Sequence, residues 1–202
     1  MTGQVIVGIA GAIGAGKTTF AQRLVEAHSF VRVGFGDALK EEVARTLRRT
    51  IKAHLRATRP DIRTRDDLGG IDETRWDQYI HSALWESRDE FARSLLQEWG
   101  TELRRAEDPD YWVRAWEHRV VALPRVVNDN VRFVNEADAI RRLGGFLIKV
   151  TRPAWLPQGT HVSESALADW TDYDFTILND GDLADLVAES DRVAKAILAT
   201  TP

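Results

Sequence analysis

The 202-residue sequence contains no cysteine, which excludes disulfides, thiolate metal sites and a cysteine nucleophile, and suits a reducing compartment. It also lacks any apolar run near the roughly 20 residues of a membrane span. The net charge is −4 at pH 7, from 27 basic and 31 acidic side chains, whereas a protein that coats nucleic acid needs a cationic face. We therefore expect one soluble, cytoplasmic domain with no nucleic acid polymer or membrane as partner.

One stretch near the start carries the strongest pattern: residues 11–18 have the sequence GAIGAGKT, which fits the phosphate-binding loop G-x-x-x-x-G-K-[ST] without a mismatch. An apolar, β-branched run precedes it and helical spacing follows, so the order is strand, glycine loop, helix. Backbone N–H groups of such a loop can point at phosphate oxygens. Lys17 supplies a cation for the β- and γ-phosphates, and Thr18 offers a hydroxyl to Mg²⁺. The alternative is an ordinary glycine-rich turn with a solvated lysine.

The motif predicts binding of ATP with Mg²⁺. The residues assigned to the triphosphate are Gly11, Ala12, Gly14, Ala15, Gly16, Lys17, Thr18 and Thr19.

Strand and helix patterns alternate along the rest of the chain and predict an α/β fold. The expected architecture has three layers, a five-stranded parallel sheet with right-handed crossovers and helices on both faces. The predicted strands are near 5–9, 30–33, 125–128, 146–150 and 175–178, and the predicted helices near 19–28, 38–58, 73–85, 89–105, 110–122, 135–143 and 183–198. Asp37 is expected to cap the second helix. In the last helix we expect five side chains to face inward: Leu183, Leu186, Val187, Val193 and Ile197.

The predicted helix 89–105 has two distinguishable faces. Phe91, Leu95, Trp99 and Leu103 recur every four residues, which predicts a core-facing stripe. Gly100 lies deep in this helix, where glycine costs about 1 kcal/mol relative to alanine. Close approach of a ligand or of a neighbouring backbone would explain it, and a helix end or tight packing would do so equally well.

Several strings together resemble the phage-type deoxynucleoside monophosphate kinases. They are the phosphate loop, FGDALKEEV (35–43), TRDDLGGID (64–72) followed by Arg75, RSLLQEWGTELRR (93–105), DPDYW (108–112), VRFVNEADAIRRLGG (131–145), THVSE (160–164) and LNDG (178–181). The likeness covers nearly the whole chain, and its order and spacing are more specific than the phosphate loop alone.

The resemblance implies a P-loop kinase fold with a core at 1–36 and 124–202, a helical acceptor-binding region at about 37–123 and a short lid at about 151–172. The implied reaction transfers the γ-phosphoryl group of ATP to a deoxynucleoside 5′-monophosphate. If the protein is phage-encoded, its location would be the host cytoplasm, and pairing with a second copy as a homodimer stays open.

The resemblance also implies roles for individual residues. Lys17, Arg93, Arg132 and Arg152 would be catalytic; Asn179, Asp180 and Gly181 would lie under the donor adenine; and Thr18 and Asp129 would serve the metal. The acceptor residues would be Asp37, Lys40, Arg75, Arg93, Gly100, Thr101, Trp112, Asn130, Arg132 and Glu136.

One position departs from the family pattern. Asn130 stands where the family usually has aspartate two residues before the arginine, and Asp129 comes one place earlier. Asparagine can bind a sugar hydroxyl but supplies no carboxylate charge to a metal-bound water. Asp129 can replace it only if the strand has ended, because neighbouring strand residues face opposite ways.

Other interpretations stay open at this point. An arginine outside the phosphate loop is often a solvated surface residue, as we expect for Arg104, and Trp99 and Trp112 are more typical of packing than of base stacking. A small-metabolite P-loop kinase would keep the donor half and change the region 93–112. A nucleotide-dependent switch would hydrolyse slowly and would not need arginines for a second phosphate.

Overall fold

The computed structural model describes residues 3–58, 73–86, 90–153 and 166–200. The chain divides into two compact units, one formed by Met1–Phe35 with Trp112–Pro202 and the other by Gly36–Tyr111. Most of the predicted lid and the strings at 64–72 and 160–164 lie outside the described residues. No helix among the described residues is long and apolar enough to cross a membrane.

The first unit is built on a five-stranded sheet. The strands are β1 (Val5–Ala10), β2 (Val31–Arg32), β3 (Arg125–Asn128), β4 (Phe146–Thr151) and β5 (Phe175–Leu178). All neighbours pair in parallel, in the order β2-β3-β1-β4-β5. This confirms the five-stranded parallel sheet, with the phosphate loop following its central strand.

Helices cover both faces of this sheet. They are α1 (Lys17–His28), α5 (Tyr111–Val120), α6 (Val134–Arg142) and α7 (Leu183–Thr200). Val5, Val7 and Ile9 of β1 pack in one cluster with α1 and α7, whereas Ile6 and Ala10 pack in a second cluster with α5 and α6. Because successive strand residues face opposite ways, this division gives the three predicted layers. Complete burial of one large apolar side chain between these layers stabilises the fold by about 1.5–3 kcal/mol.

Helix α7 buries a stripe through Leu186, Val193 and Ile197, and Val187 is partly buried. Leu183 is 66% exposed, so its expected inward position is wrong. It is the first residue of the helix, one turn before the buried stripe begins.

The second unit is helical. It contains α2 (Phe35–Thr58) from Gly36 onward, α3 (Glu73–His81), a π-helix that we name π1 (Ser82–Glu86), α4 (Glu90–Gln97) and a second π-helix, π2 (Glu98–Arg105). Its core is formed by Val43, Ala44, Ile80 and Leu84, with partly buried side chains of α2, α4 and π2 packed around them.

The expected core stripe of residues 89–105 is wrong at two positions. Phe91 is 77% exposed and Leu103 is 43% exposed. The core-facing stripe runs instead through Ala92, which is buried, and Leu95, Leu96 and Trp99, which are partly buried. These positions follow the i, i+3, i+4, i+7 spacing of an α-helix. Leu103 falls in π2, where the wider turn breaks the four-residue period.

Helix α2 begins two residues before the predicted cap. Asp37 lies in the first turn rather than at the N-cap. The backbone N–H of Phe35 donates to Oδ1 of Asn130 at 3.0 Å, so a side chain 95 positions away in the sequence satisfies the N–H group at this helix start. A carboxylate in the first turn still suits the positive end of the helix dipole.

Candidate active site

The phosphate loop joins β1 to α1, and three of its glycines, Gly11, Gly14 and Gly16, have positive φ. Gly11 has a φ of +143° and Gly16 a φ of +106°, which side-chain-bearing residues rarely adopt. A Cβ on Gly11 would also run into the carbonyl oxygen of Val150, and one on Gly16 would lie 2.7 Å from Nδ2 of Asn179. The loop conformation therefore depends on both glycines.

The ammonium group of Lys17 is folded over this loop. Its Nζ donates to the carbonyl oxygens of Gly11 and Ala12, each at 2.7 Å. Lys17 is also the first residue of α1, whose N-terminus faces the loop. Positive charge from the side chain and from the helix end is thus concentrated at one place, which suits an anionic ligand.

Strand β3 ends at Asn128, so Asp129 is the first residue after the strand, and its side chain lies beside the loop. The hydroxyl of Thr18 donates to Oδ2 of Asp129 at 3.0 Å, and Nε of Arg32 donates to Oδ1 at 2.8 Å. The carboxylate is almost completely buried, with 2% of the side chain exposed. The side chain of Asn128 accepts the N–H of Asn130 at 3.0 Å and fixes this turn.

Asn130 points to a different partner. Its Oδ1 accepts the N–H of Phe35, and a Cβ added to Gly34 would lie 2.9 Å from the same oxygen. The carboxylate that meets Thr18 is therefore Asp129, and Asn130 is occupied at the start of α2.

The pair of Thr18 and Asp129 fits a magnesium ion by its chemistry, because Mg²⁺ prefers oxygen ligands and keeps several waters and phosphate oxygens. In the part of the chain that the structure describes, no group of three or more His, Cys, Asp or Glu side chains could hold a metal. Mg²⁺ bound with a nucleotide usually takes one or two carboxylates from the protein and fills its other positions with water and phosphate oxygens.

Two further sequence-predicted segments lie at the same edge of the sheet. Nδ2 of Asn179 donates to the carbonyl oxygen of Ala15 at 2.9 Å. The backbone N–H of Asn179 donates to the carbonyl oxygen of Thr151 at 2.8 Å. The turn that contains Asp180 and Gly181 is thereby attached to the phosphate loop. Arg152 follows β4 directly and is exposed.

Arg132 and Glu136 lie after β3, at the start of α6. Oε2 of Glu136 accepts the backbone N–H groups of Arg132 at 2.7 Å and Phe133 at 3.2 Å. Glu136 is 2% exposed, so its carboxylate caps α6 from within. Its predicted contact with the acceptor nucleoside stays a prediction.

The second unit contains most of the other predicted acceptor residues. Lys40 has its Nζ 5.9 Å from the centre of the Trp85 ring, and Arg93 is exposed on α4. Thr101 is partly buried in π2. Arg75 belongs to α3, but its side chain lies outside the described residues.

Gly100 and Trp112 are explained by packing. A Cβ on Gly100 would lie 2.7 Å from Cδ2 of Leu39, so the glycine permits close packing of π2 on α2. Trp112, the first residue of the first unit after the helical segment, is 3% exposed. The predicted positions of both residues near the acceptor stay predictions.

The sequence patterns missed a polar cluster around Glu42. Its Oε1 accepts from Nε1 of Trp99 at 2.9 Å and Nε of Arg104 at 2.7 Å, and its Oε2 accepts from the hydroxyl of Tyr111 at 2.8 Å. Burial by itself raises the pKa of Glu42, but these hydrogen bonds outweigh it and hold the pKa below its ordinary value. The expectation that Arg104 is solvated is therefore wrong. Trp99 and Arg104 are five residues apart. A search for α-helical periodicity pairs residues three or four apart and does not detect this spacing.

The glycine loop after the central strand of a five-stranded parallel sheet, with its lysine and threonine, defines a P-loop nucleotide-binding fold. The family model described as deoxynucleotide monophosphate kinase matches residues 71–189. A protein of Acanthamoeba polyphaga mimivirus named "Putative deoxynucleotide monophosphate kinase" is 30% identical over 178 residues, which cover 87% of this chain and 88% of that protein.

Two solved structures also resemble the chain. A dephospho-CoA kinase from Campylobacter jejuni is 15% identical with a TM-score of 0.42, over 95% of this chain and 96% of that one. A sugar kinase from Janibacter sp. HTCC2649 is 16% identical with a TM-score of 0.42, over 96% of this chain and 98% of that one.

The chain belongs to the deoxynucleotide monophosphate kinase family. It is a phosphotransferase whose acceptor is a deoxynucleotide monophosphate, which confirms the family resemblance and the reaction class that the sequence predicted.

Proposed function

We propose that the protein transfers the γ-phosphoryl group of ATP to a deoxynucleoside 5′-monophosphate and releases ADP and the diphosphate. The observation that carries the donor half is the arrangement at the end of β1 and β3. There Lys17 lies over the glycine loop, and the hydroxyl of Thr18 is bonded to the buried carboxylate of Asp129. The family assignment supports the acceptor.

On the donor side, the N–H groups of the loop and of the first turn of α1 would bind the phosphates. The ammonium of Lys17 would exchange its two carbonyl partners for phosphate oxygens, because phosphate oxygens carry negative charge and carbonyl oxygens are neutral. Asn179, Asp180 and Gly181 would lie under the adenine, since Asn179 is attached to the loop through Ala15.

Thr18 and Asp129 would hold Mg²⁺, directly or through water. When bound, the ion neutralises the negative charge that develops on the β- and γ-phosphate oxygens. Arg32 contributes by keeping the carboxylate of Asp129 in one orientation, since it bonds the oxygen that Thr18 does not use.

Phosphoryl transfer needs little covalent help from the protein, so the remaining residues would align the two phosphates and neutralise charge. Arg132 and Arg152 follow β3 and β4 at the loop edge of the sheet and would reach the transferring group.

The helical region at about 37–123 would bind the acceptor, and the segment at about 151–172 would act as a lid. We assign the acceptor to Asp37, Lys40, Arg75, Arg93, Gly100, Thr101, Trp112, Asn130, Arg132 and Glu136. A cytoplasmic location and a homodimer stay predictions.

A coupled assay tests this proposal. ATP, Mg²⁺ and the protein are mixed with each of a panel of deoxynucleoside and nucleoside monophosphates, and ADP formation is followed. ADP that forms only with a deoxynucleoside monophosphate supports the proposal. ADP formation without any acceptor would indicate the switch, and formation only with a small non-nucleotide metabolite would indicate the other kinase class. The Lys17→Ala variant controls for a contaminating kinase.

A further inference from the structure

The Glu42 cluster brings three donors of the second unit to one carboxylate. Glu42 is on α2, Trp99 and Arg104 are both on π2, and Tyr111 is the last residue of the unit. The Glu42 side chain is only 16% exposed and that of Arg104 33% exposed. The guanidinium of Arg104 also lies 5.2 Å from the centre of the Tyr111 ring, so the donors contact each other as well as the carboxylate.

The two donors from π2 can meet one oxygen because the helix is of the π type. Residues five apart in an α-helix, with 3.6 residues per turn, point in directions about 140° apart. In a π-helix the turn is wider and hydrogen bonds connect residues five apart, so Trp99 and Arg104 lie much closer to the same side of the helix. Both donate to Oε1 of Glu42, and the wider angle between these positions in an α-helix would oppose that arrangement.

The backbone agrees with this description. At the end of π2 the N–H of Ala106 is shared between the carbonyl oxygen of Thr101, five residues earlier, and that of Leu103, three residues earlier. On α2, Leu39 and Glu42 are three residues apart and share a face. Leu39 packs against Gly100, where a Cβ has no room, while Glu42 binds the residues on either side of it. The same face of α2 therefore contacts π2 at two points.

We propose that Glu42 is a positioning residue, whose carboxylate holds Glu98–Arg105 in the π-helical form and thereby sets the affinity for the acceptor nucleotide. The inference rests on the proposed function, which assigns Gly100 and Thr101 of π2 to the binding of the acceptor nucleotide. Without the carboxylate, the two hydrogen bonds that hold Trp99 and Arg104 to the same oxygen are lost. The segment then relaxes toward the α-helical form, and each residue after Gln97 turns to a new direction.

The test compares Glu42→Ala with Glu41→Ala, a matched change at the next, exposed position of the same helix. Steady-state kinetics with ATP and the preferred acceptor give both KM values and kcat, and hydrogen exchange followed by mass spectrometry reports on the amides of residues 98–106. We expect Glu42→Ala to raise the acceptor KM about tenfold or more and to leave the ATP KM within about twofold, with faster exchange across π2. Glu41→Ala should change none of these.

Two milder variants keep the test decisive if Glu42→Ala fails to fold. Tyr111→Phe removes a single hydroxyl donor and should raise the acceptor KM by a few-fold only. Glu42→Gln keeps an acceptor for Trp99 and Arg104, and its amide can donate to the Tyr111 hydroxyl, so it should recover most of the acceptor affinity.

Unchanged exchange across π2 in Glu42→Ala would overturn the inference whatever the activity. A parallel rise of the ATP and acceptor KM values would also overturn it, because it would show a general loss of structure. Absence of acceptor-dependent turnover in the unmodified protein is a different result: it would refute the proposed function, and the exchange comparison would still decide whether Glu42 holds the π-helix.

Discussion

Replacing Asp129 with asparagine should reduce turnover strongly and leave the fold nearly unchanged. The amide has the size of the carboxylate, its oxygen can still accept from Arg32, and its NH₂ group can donate to the hydroxyl oxygen of Thr18. No buried polar atom of these pairs loses its partner. The Arg32 side chain is 44% exposed, so the lost ion pair is screened by solvent and should cost about 0–1 kcal/mol of folding free energy.

The loss in catalysis should be much larger. Two unit charges about 4 Å apart interact with about 4 kcal/mol at an effective dielectric constant of 20. Asparagine removes the negative charge of Asp129 that would attract the metal, so up to about 4 kcal/mol of transition-state stabilisation is lost. That corresponds to a decrease in kcat/KM of up to about 10³-fold, and we expect at least about 10²-fold.

The assay is ADP formation as a function of Mg²⁺ concentration, for the unmodified protein, Asp129→Asn and Asp138→Asn. Asp138 is an exposed carboxylate on α6, so its variant should behave as the unmodified protein. The double variant Asp129→Asn, Asn130→Asp keeps the net charge and moves the carboxylate by one residue. It should stay inactive because the side chain at 130 points to Phe35. Full activity in the double variant would refute the assignment.

Three other predictions follow from charges at named positions. Lys17→Ala should abolish turnover and leave the melting temperature near that of the unmodified protein, as checked by the coupled assay and calorimetry; full activity would refute the donor site. Arg93→Ala should raise the acceptor KM or lower kcat while costing at most about 1 kcal/mol of stability, since Arg93 is exposed; an unchanged kinetic profile would remove it from the site. The hydrogen bond from Arg23 and, next in size, that from His28 hold the pKa of Asp191 well below its ordinary value of 3.8. The ionised Asp191 therefore stabilises the fold at pH values above 3.8. This contribution disappears as the pH falls below that value toward the lowered pKa. Melting temperatures of the unmodified protein and Asp191→Asn should therefore differ at neutral pH and converge in acid; a constant difference would contradict this.

Sequence patterns predicted correctly those strands whose ends are set by residues next to them in the sequence. The predicted and observed strands agree at 125–128 and 175–178, where short apolar runs are bounded by Pro124 and by the Asn179 turn. The start of α2 was missed because its capping group is Asn130, distant in sequence. The predicted core stripe failed at Phe91 because α4 turns Ala92 inward, and it failed at Leu103 because the segment has by then become a π-helix. Periodicity assumes a regular helix and cannot detect that change.

The same distinction applies to the candidate site. The phosphate loop is contiguous in sequence, so its pattern was sufficient to predict the positions where backbone geometry requires glycine. The Glu42 cluster joins residues 42, 99, 104 and 111, and Arg32 meets a carboxylate 97 positions away. Contacts of this kind depend on the tertiary fold, and no local pattern in a single sequence specifies them.

The departure at Asn130 shows how the fold can move a functional group along the chain. Moving a carboxylate by one residue within a strand would send it to the opposite face of the sheet. Here β3 ends at Asn128, whose side chain accepts the N–H of Asn130 and closes a turn. Asp129 is then free of strand alternation and can reach Thr18, while Asn130 accepts the Phe35 N–H without adding a second negative charge. An aspartate at 130 could accept the same N–H, but it would add a second negative charge in the residue next to Asp129, where like charges repel. The amide at 130 therefore keeps the hydrogen bond that starts α2 and leaves Asp129 as the carboxylate that meets Thr18.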